Sequence, residues 1–251
     1  MTFIKGLLIP TIVLLLWLVV SKLKLVSFYI LPPPEQVLAT GLSLLDKGVL
    51  LKHLSVSFYR VISGFCFSLL LAFPLAVLLG INRQFAPFIN PPLEFVRHIP
   101  PLACIPLLIL WFGIGEASKL AVIILAAFFP IFLNTLNGIR HCDEKLLEVG
   151  DAFGLSAGEK FLRITFPATL PFIIIGMRLG LGYSWRALIG AELVAASAGI
   201  GYMILDAEQI SRSDIVIIGI LTIGSIGYII DYLFLKLTQY GMPWVKRTAD
   251  L

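Results

Sequence analysis

VSFYRVISGFCFSLLLAFPLAVLLG, residues Val56 to Gly80, holds one charged side chain, Arg60, in 25 residues. An α-helix needs about 20 apolar residues to cross the hydrocarbon core of a bilayer. A surface helix of a soluble protein shows an apolar stripe on one side only, whereas this one is apolar all round. The stretch reads as a membrane span. Five further apolar segments extend the pattern: Gly6–Val20, Leu102–Ile114, Leu120–Leu136, Pro167–Ala198 and Ile215–Leu235. Leu102–Ile114 is short for a span, so it takes length from Glu94–Pro101 or lies obliquely between other helices. Pro74, Pro106 and Pro130 fall inside segments, where each removes a backbone hydrogen bond and bends the helix without choosing a function.

Composition agrees. Apolar residues are 59% of 251 and charged residues 14%, with a mean hydropathy of +0.98; soluble domains average about 45–50% and about 25%. The net charge of +4 is carried by scattered Lys and Arg residues, which points to membrane orientation and away from nucleic-acid binding. Cys66, Cys104 and Cys142 lie far apart, and His53, His98 and His141 show no metal-ligand spacing beside them, so neither a disulfide framework nor a metal site is expected. The first apolar run follows Lys5 as a signal peptide would, yet no small-x-small cleavage site precedes Lys22 and Lys24, so it reads as a retained span.

By the positive-inside rule, Lys5, Arg83, Arg97, Arg140, Lys145, Lys160, Arg163, Lys246 and Arg247 face the cytoplasm, and Lys22, Lys24, Lys47, Lys52, Lys119 and Arg212 face outward. Both termini are then cytoplasmic. The chain divides into residues 1–55, a first span with an external cap begun by Leu31-Pro32-Pro33-Pro34 and continued by a helical pattern over Val37–Leu45, and residues 56–251, the core. The expected fold is all-α, with about six transmembrane helices.

Asp143–Phe166 is the most polar internal stretch. Glu144, Glu148 and Asp151 share one helical face and Leu146, Val149, Gly150 and Phe153 another. Gly154 suits the left-handed position that ends a helix, Ser156 with Glu159 makes a capping box, and a second helix runs through Arg163 until Pro167 stops it. Amphipathicity alone leaves two readings open, a connector resting in lipid headgroups or an element that docks into a partner.

Glu148-Val149-Gly150, then Gly154, Ile164 and Phe166-Pro167, resembles the cytoplasmic EAA loop of permeases from binding-protein-dependent ABC importers. Val149 and Gly150 stand where that motif has alanines, and Phe166 where it has leucine. His98-Ile99-Pro100-Pro101-Leu102-Ala103-Cys104-Ile105-Pro106-Leu107, Trp111-Phe112-Gly113-Ile114-Gly115-Glu116, Phe129-Pro130, Gly176-Met177-Arg178-Leu179, Trp185, Ala191-Glu192-Leu193 and Gly199-Ile200-Gly201-Tyr202 are similar to the nitrate, sulfonate and taurine importer group. The resemblance implies a type I ABC importer permease fold in a bacterial inner membrane. It also implies partners: a second permease copy, two ATPase subunits that bind ATP and Mg, and an extracytoplasmic solute-binding protein. The loop 143–166 would then be a coupling helix, with Glu148, Val149, Gly150, Asp151, Phe153 and Gly154 seated on the ATPase. No G-x-x-x-x-G-K-[ST] phosphate cradle occurs in the chain, so ATP falls to another polypeptide, and the chain itself is expected to bind no cofactor and to have no catalytic residues.

Arg178, Arg186 and Glu192 fall within the fifth segment, where ionised side chains are costly and mark pathways or structural pairs. Together with Trp185 they are the pathway candidates. Their structural readings are a pairing of Arg178 with Glu192 or a carbonyl, snorkelling of Arg186, and packing of Trp185. Asp231 reads as a helix-end group, and Arg60 and Arg97 as membrane-edge residues. A secondary transporter or channel is the rival class, yet no internal repeat is visible. A membrane enzyme would need a catalytic constellation, and the chain shows none. The solute read from the resemblance is small and polar or anionic: a sulfonate, taurine, nitrate or a vitamin precursor.

Overall fold

Apolar runs with no polar face leave the backbone one way to satisfy its own N–H and C=O groups in lipid, which is the helix. The structure, a computed structural model, describes residues 2–241, and all regular structure among them is helical. The order is α1 (Thr2–Lys22), α2 (Pro34–Asp46), α3 (Val49–Ile81), α4 (Ala86–Arg97), α5 (Ile105–Phe112), α6 (Glu116–Arg140), α7 (Glu144–Ala152), α8 (Ala157–Lys160), α9 (Phe166–Ala195), α10 (Ile200–Gln209) and α11 (Ser213–Gly241). Among the described residues, four helical stretches are long and apolar enough to cross a membrane: Val49–Ile81, Glu116–Arg140, Ala157–Ala195 and Ser213–Tyr240. Lys246, Arg247 and the carboxy terminus, expected on the cytoplasmic side, lie outside the described residues.

The third expected segment is short, as its sequence implies. α5 has only eight residues, and the stretch Pro101–Phe112 that holds it follows α4 across an 86° bend, the geometry of a broken span or a re-entrant loop. The cause is local. Pro100 precedes Pro101 and is held extended at φ −61° and ψ 126°, as a residue before proline is driven out of the α region. Pro167 behaves otherwise than expected. The Phe166 N–H reaches back to the Phe161 carbonyl, making a π-turn over Phe161–Thr165. That wide turn carries the helix past the proline, and the chain stays helical from Ala157 to Ala195.

The chain forms two compact units. Residues 58–195 and 227–251 make one, built around α3, α6 and α9. There, glycines let helices approach backbone to side chain. A Cβ at Gly64 or Gly80 on α3 would lie 2.6 Å from Ile123 or Ile139 of α6. On α9, a Cβ at Gly176 would lie 3.0 Å from the Pro130 carbonyl oxygen of α6, and one at Gly180 2.9 Å from Ile131. Gly176 and Gly180 are four residues apart, the spacing by which membrane helices pack closely. Ile105 and Leu108 of α5, Val122 and Ala126 of α6, and Ala187 and Ala191 of α9 complete an adjoining core.

Residues 1–57 and 196–226 make the other unit. Pro34 opens α2 at a first-turn position, where its missing N–H loses nothing. Thr40 of α2 donates to Asp214 at 2.7 Å, and Arg212 grips the same carboxylate at 2.9 and 2.7 Å. α10 starts without a cap of its own. Its first donors are met from α3, Gly199 N–H by His53 Nδ1 at 3.1 Å and Ile200 N–H by Ser57 Oγ at 2.9 Å.

Gly176→Leu is expected to destabilise the detergent-solubilised protein by about 1–3 kcal/mol, the usual effect of overpacking, because the Pro130 carbonyl cannot move aside as a side-chain tip can. Thermal unfolding followed by circular dichroism reads this as a lowered Tm. Gly224→Ala, where an added methyl meets nothing within 4 Å, is expected to hold or raise Tm, because alanine favours a helix interior over glycine.

Candidate functional site

The loop between α6 and α9 is built to be rigid. The Asp143 carboxylate accepts from Lys145 N–H at 2.9 Å and caps α7. At the other end Gly154 takes φ +69°, Leu155 N–H bonds Gly150 O at 3.0 Å, and Gly154 N–H bonds Asp151 O at 2.9 Å. This is a Schellman closure, and glycine meets its left-handed position without strain. Two residues on, Ser156 and Glu159 form both halves of a capping box that starts α8. Lys160 then donates to Asp151 at 2.5 Å and ties α8 to α7.

The helical face expected to be apolar divides on folding. Gly150 is buried, where a Cβ would meet the tip of Ile164 at 2.9 Å and the Lys160 stem at 3.0 Å. An alanine methyl there would press on both of these flexible side chains. Leu146, Val149 and Phe153 point outward, and Phe153 is 80% exposed. Glu148 and Asp151 are exposed beside them. A short, doubly capped helix thus presents three large apolar side chains and, with the exposed Glu144, three carboxylates to its surroundings.

The charges of α9 are held apart from one another. Glu192 is fully buried and accepts from Arg60 Nη1 at 2.7 Å. Arg60, itself 3% exposed, also donates through Nε and Nη2 to both oxygens of Glu116, each at 2.6 Å, and Lys119 joins Glu116 at 3.1 Å. One guanidinium therefore fastens α3 to the start of α6 and the end of α9. Arg178 pairs with Asp231 of α11 through two contacts of 2.6 and 2.7 Å, and Glu192 belongs to Arg60. Trp185 is buried against Gly227 of α11. Arg186 is exposed and lies 5.3 Å from the ring centre of Tyr183, one turn away on the same helix.

Residues 64–239 match the family described as the binding-protein-dependent transport system inner membrane component. The chain belongs to this family. It is thus an inner-membrane transport permease of the ABC importer type. The putative aliphatic sulfonates transport permease protein of Bacillus subtilis is 38% identical, over 96% of this chain and 88% of that protein. The taurine transport system permease protein of Escherichia coli is 32% identical over 93% and 86%. The bicarbonate transport system permease protein of Synechococcus elongatus is 32% identical over 81% and 72%.

Within this permease the ion cluster around Arg60 is the feature that a membrane-edge reading of that residue missed. An arginine inside a run as apolar as Val56–Gly80 was itself the signal, since an ionisable group there calls for a partner. Its partners lie 56 and 132 residues away. Removing one member of a buried pair strands the other's charge, at about 3–5 kcal/mol. Arg60→Met is accordingly expected to lower expression and detergent stability sharply, and Arg60→Met with Glu192→Leu to recover part of the loss. A cycle of thermal unfolding on the two single variants and the double checks this; additive losses would contradict the pairing.

Proposed function

We propose that this permease forms the membrane path for a small polar or anionic solute, driven inward by ATP hydrolysis on a separate ATPase that docks on residues 143–166. The observation that carries the reading is the capped α7 helix, with Leu146, Val149 and Phe153 exposed and Glu148 and Asp151 at their rim. Apolar anchors ringed by polar groups are the usual composition of a docking site. The loop joins α6 directly to α9, the two helices in closest contact, so a force on α7 reaches the membrane core without passing through a flexible segment.

In the proposed assembly two copies of the chain stand side by side on a pair of ATPase subunits that hold ATP and Mg. An extracytoplasmic solute-binding protein meets the opposite face, and both termini are cytoplasmic. The chain supplies no ATPase site of its own. Aliphatic sulfonates, taurine and bicarbonate, named for its relatives, share oxyanion chemistry, and a small solute of that class is the proposed cargo. Arg186, exposed beside Tyr183, is the pathway candidate that this cargo favours. Arg178 and Glu192 are committed to carboxylate and guanidinium partners and Trp185 to packing, which suits them to hold the path's walls.

Phe153→Asp is expected to weaken binding of the purified partner ATPase by about 30-fold or more, the scale of a 2 kcal/mol interface hot spot, with membrane insertion intact. Glu148→Lys should depress ATP-driven uptake in the same preparation. Normal ATPase binding and normal uptake in both variants would overturn the docking assignment.

A further inference from the structure

Two cavities adjoin on one side of the α4–α6–α9 unit, and Arg97 lines both. The first, of about 260 Å³, also has Asn90, Asn137 and Arg140 in its wall. The second, of about 450 Å³, is mostly apolar, with Leu125, Leu179 and Tyr183 among its lining residues. Phe129 and Leu133 are shared with Arg97, so the two spaces meet beside the guanidinium. From Leu125 to Arg140 they follow α6 for about 22 Å at 1.5 Å per residue, a large part of a bilayer core of about 30 Å.

Arg97 closes α4 at the 86° break, and Ile99, Pro101 and Cys104 beyond the break line the second cavity. Irregular backbone at membrane depth is tolerated where it is buried in protein or lines a wet cavity. The arginine is also only lightly held, unlike three others in the chain. Arg60, Arg178 and Arg212 each grip a carboxylate through two nitrogens. Among the described residues, the ion pair of Arg97 is a single contact of Nη2 with Glu94 at 3.3 Å, with 37% of its side chain exposed. A guanidinium has five N–H donors in a fork that fits two oxygens of one anion.

We propose that Arg97 is the anion-binding residue of a solute subsite at the junction of these cavities, taking a small oxyanion with a short apolar tail. The head group sits on the Arg97 fork, the tail lies against Leu125, Phe129 and Leu179, and Asn137 and Arg140 receive the anion toward the coupling loop. Arg186, one turn beyond Tyr183, continues the positive line at the other end. Arg97 and Arg140 outnumber Glu94, so the junction favours anions, while one partly exposed cation keeps the hold loose enough for release. This rests on the reading of the chain as a permease for a small anion.

Cys104 in the second cavity provides the probe. In the complete complex carrying Cys66→Ser and Cys142→Ser, Cys104 is the one thiol of this chain. Anionic 2-sulfonatoethyl methanethiosulfonate is expected to label it faster than the cationic 2-trimethylammonioethyl reagent, and excess ethanesulfonate should slow both. Arg97→Gln should lower the anion-to-cation rate ratio by about tenfold, the scale of one unit charge at an effective dielectric between those of protein and water; Arg97→Lys should keep most of it. Labelling by uncharged methyl methanethiosulfonate at the parental rate reports that the cavity is intact. An unreactive Cys104, no protection by ethanesulfonate, or a ratio unmoved by Arg97→Gln in an intact cavity would each overturn the subsite. ATP-driven ethanesulfonate uptake by the parent complex is measured in parallel. Its failure with charge selection intact would count against the importer reading and leave the subsite standing.

Discussion

The closeness of α6 and α9 is the constraint from which the rest follows. Gly176 and Gly180 bring α9 against the Pro130 carbonyl and Ile131 of α6, with no side chain between them on the α9 side. Lipid tails are as apolar as leucine, so helices in a membrane gain little from hydrophobic burial and depend on such close contact. The same pair is joined at one end by the loop of residues 143–166 and fastened near the other by Arg60, through Glu116 at the start of α6 and Glu192 near the end of α9. A pair tied at both ends and packed between is suited to move as one body.

The charges divide by how fully they are matched. Arg60 and Arg178 hold their carboxylates with two or more short contacts, which fixes helices and leaves few donors for a solute. Arg97 and Arg186 are loosely held, one by a single contact to Glu94 and the other over the Tyr183 ring. A transport path needs the second kind. A deep well of fully matched charge would retain what it bound, whereas partly satisfied cations at intervals attract an anion and let it go.

Much of this is legible in the sequence. Apolar length marks Val56–Gly80 and Leu120–Leu136 as spans, and Gly154 with the spacing of Ser156 and Glu159 places the caps between the two helices of the 143–166 loop, because caps depend on neighbours in sequence. What was not legible depended on distant neighbours. Arg178 meets Asp231 across 53 residues, and nothing near either names the other. The shortness of Leu102–Ile114 is visible in sequence, but the helix before it, α4 with Pro91 and Pro92 inside, and the 86° bend between them are not. Pro167 looked like a stop because a π-turn that accommodates it is rare. The spacing of Gly176 and Gly180 is visible in sequence, but its partner surface on α6 is not.

The central claim, that α6, the loop of residues 143–166 and α9 move as one lever, is tested most directly by a spin-label distance within one chain. Labels at Lys145→Cys on α7 and Val194→Cys near the far end of α9, in an otherwise cysteine-free chain assembled with its ATPase, are compared without nucleotide and with ATP trapped. The account predicts that the intrachain distance stays within about 1.5 Å, the rise of one helical residue, while the distance between the Val194→Cys labels of two copies changes. An intrachain shift of about 5 Å, a full helical turn, would show the loop yielding independently of α9 and contradict the lever.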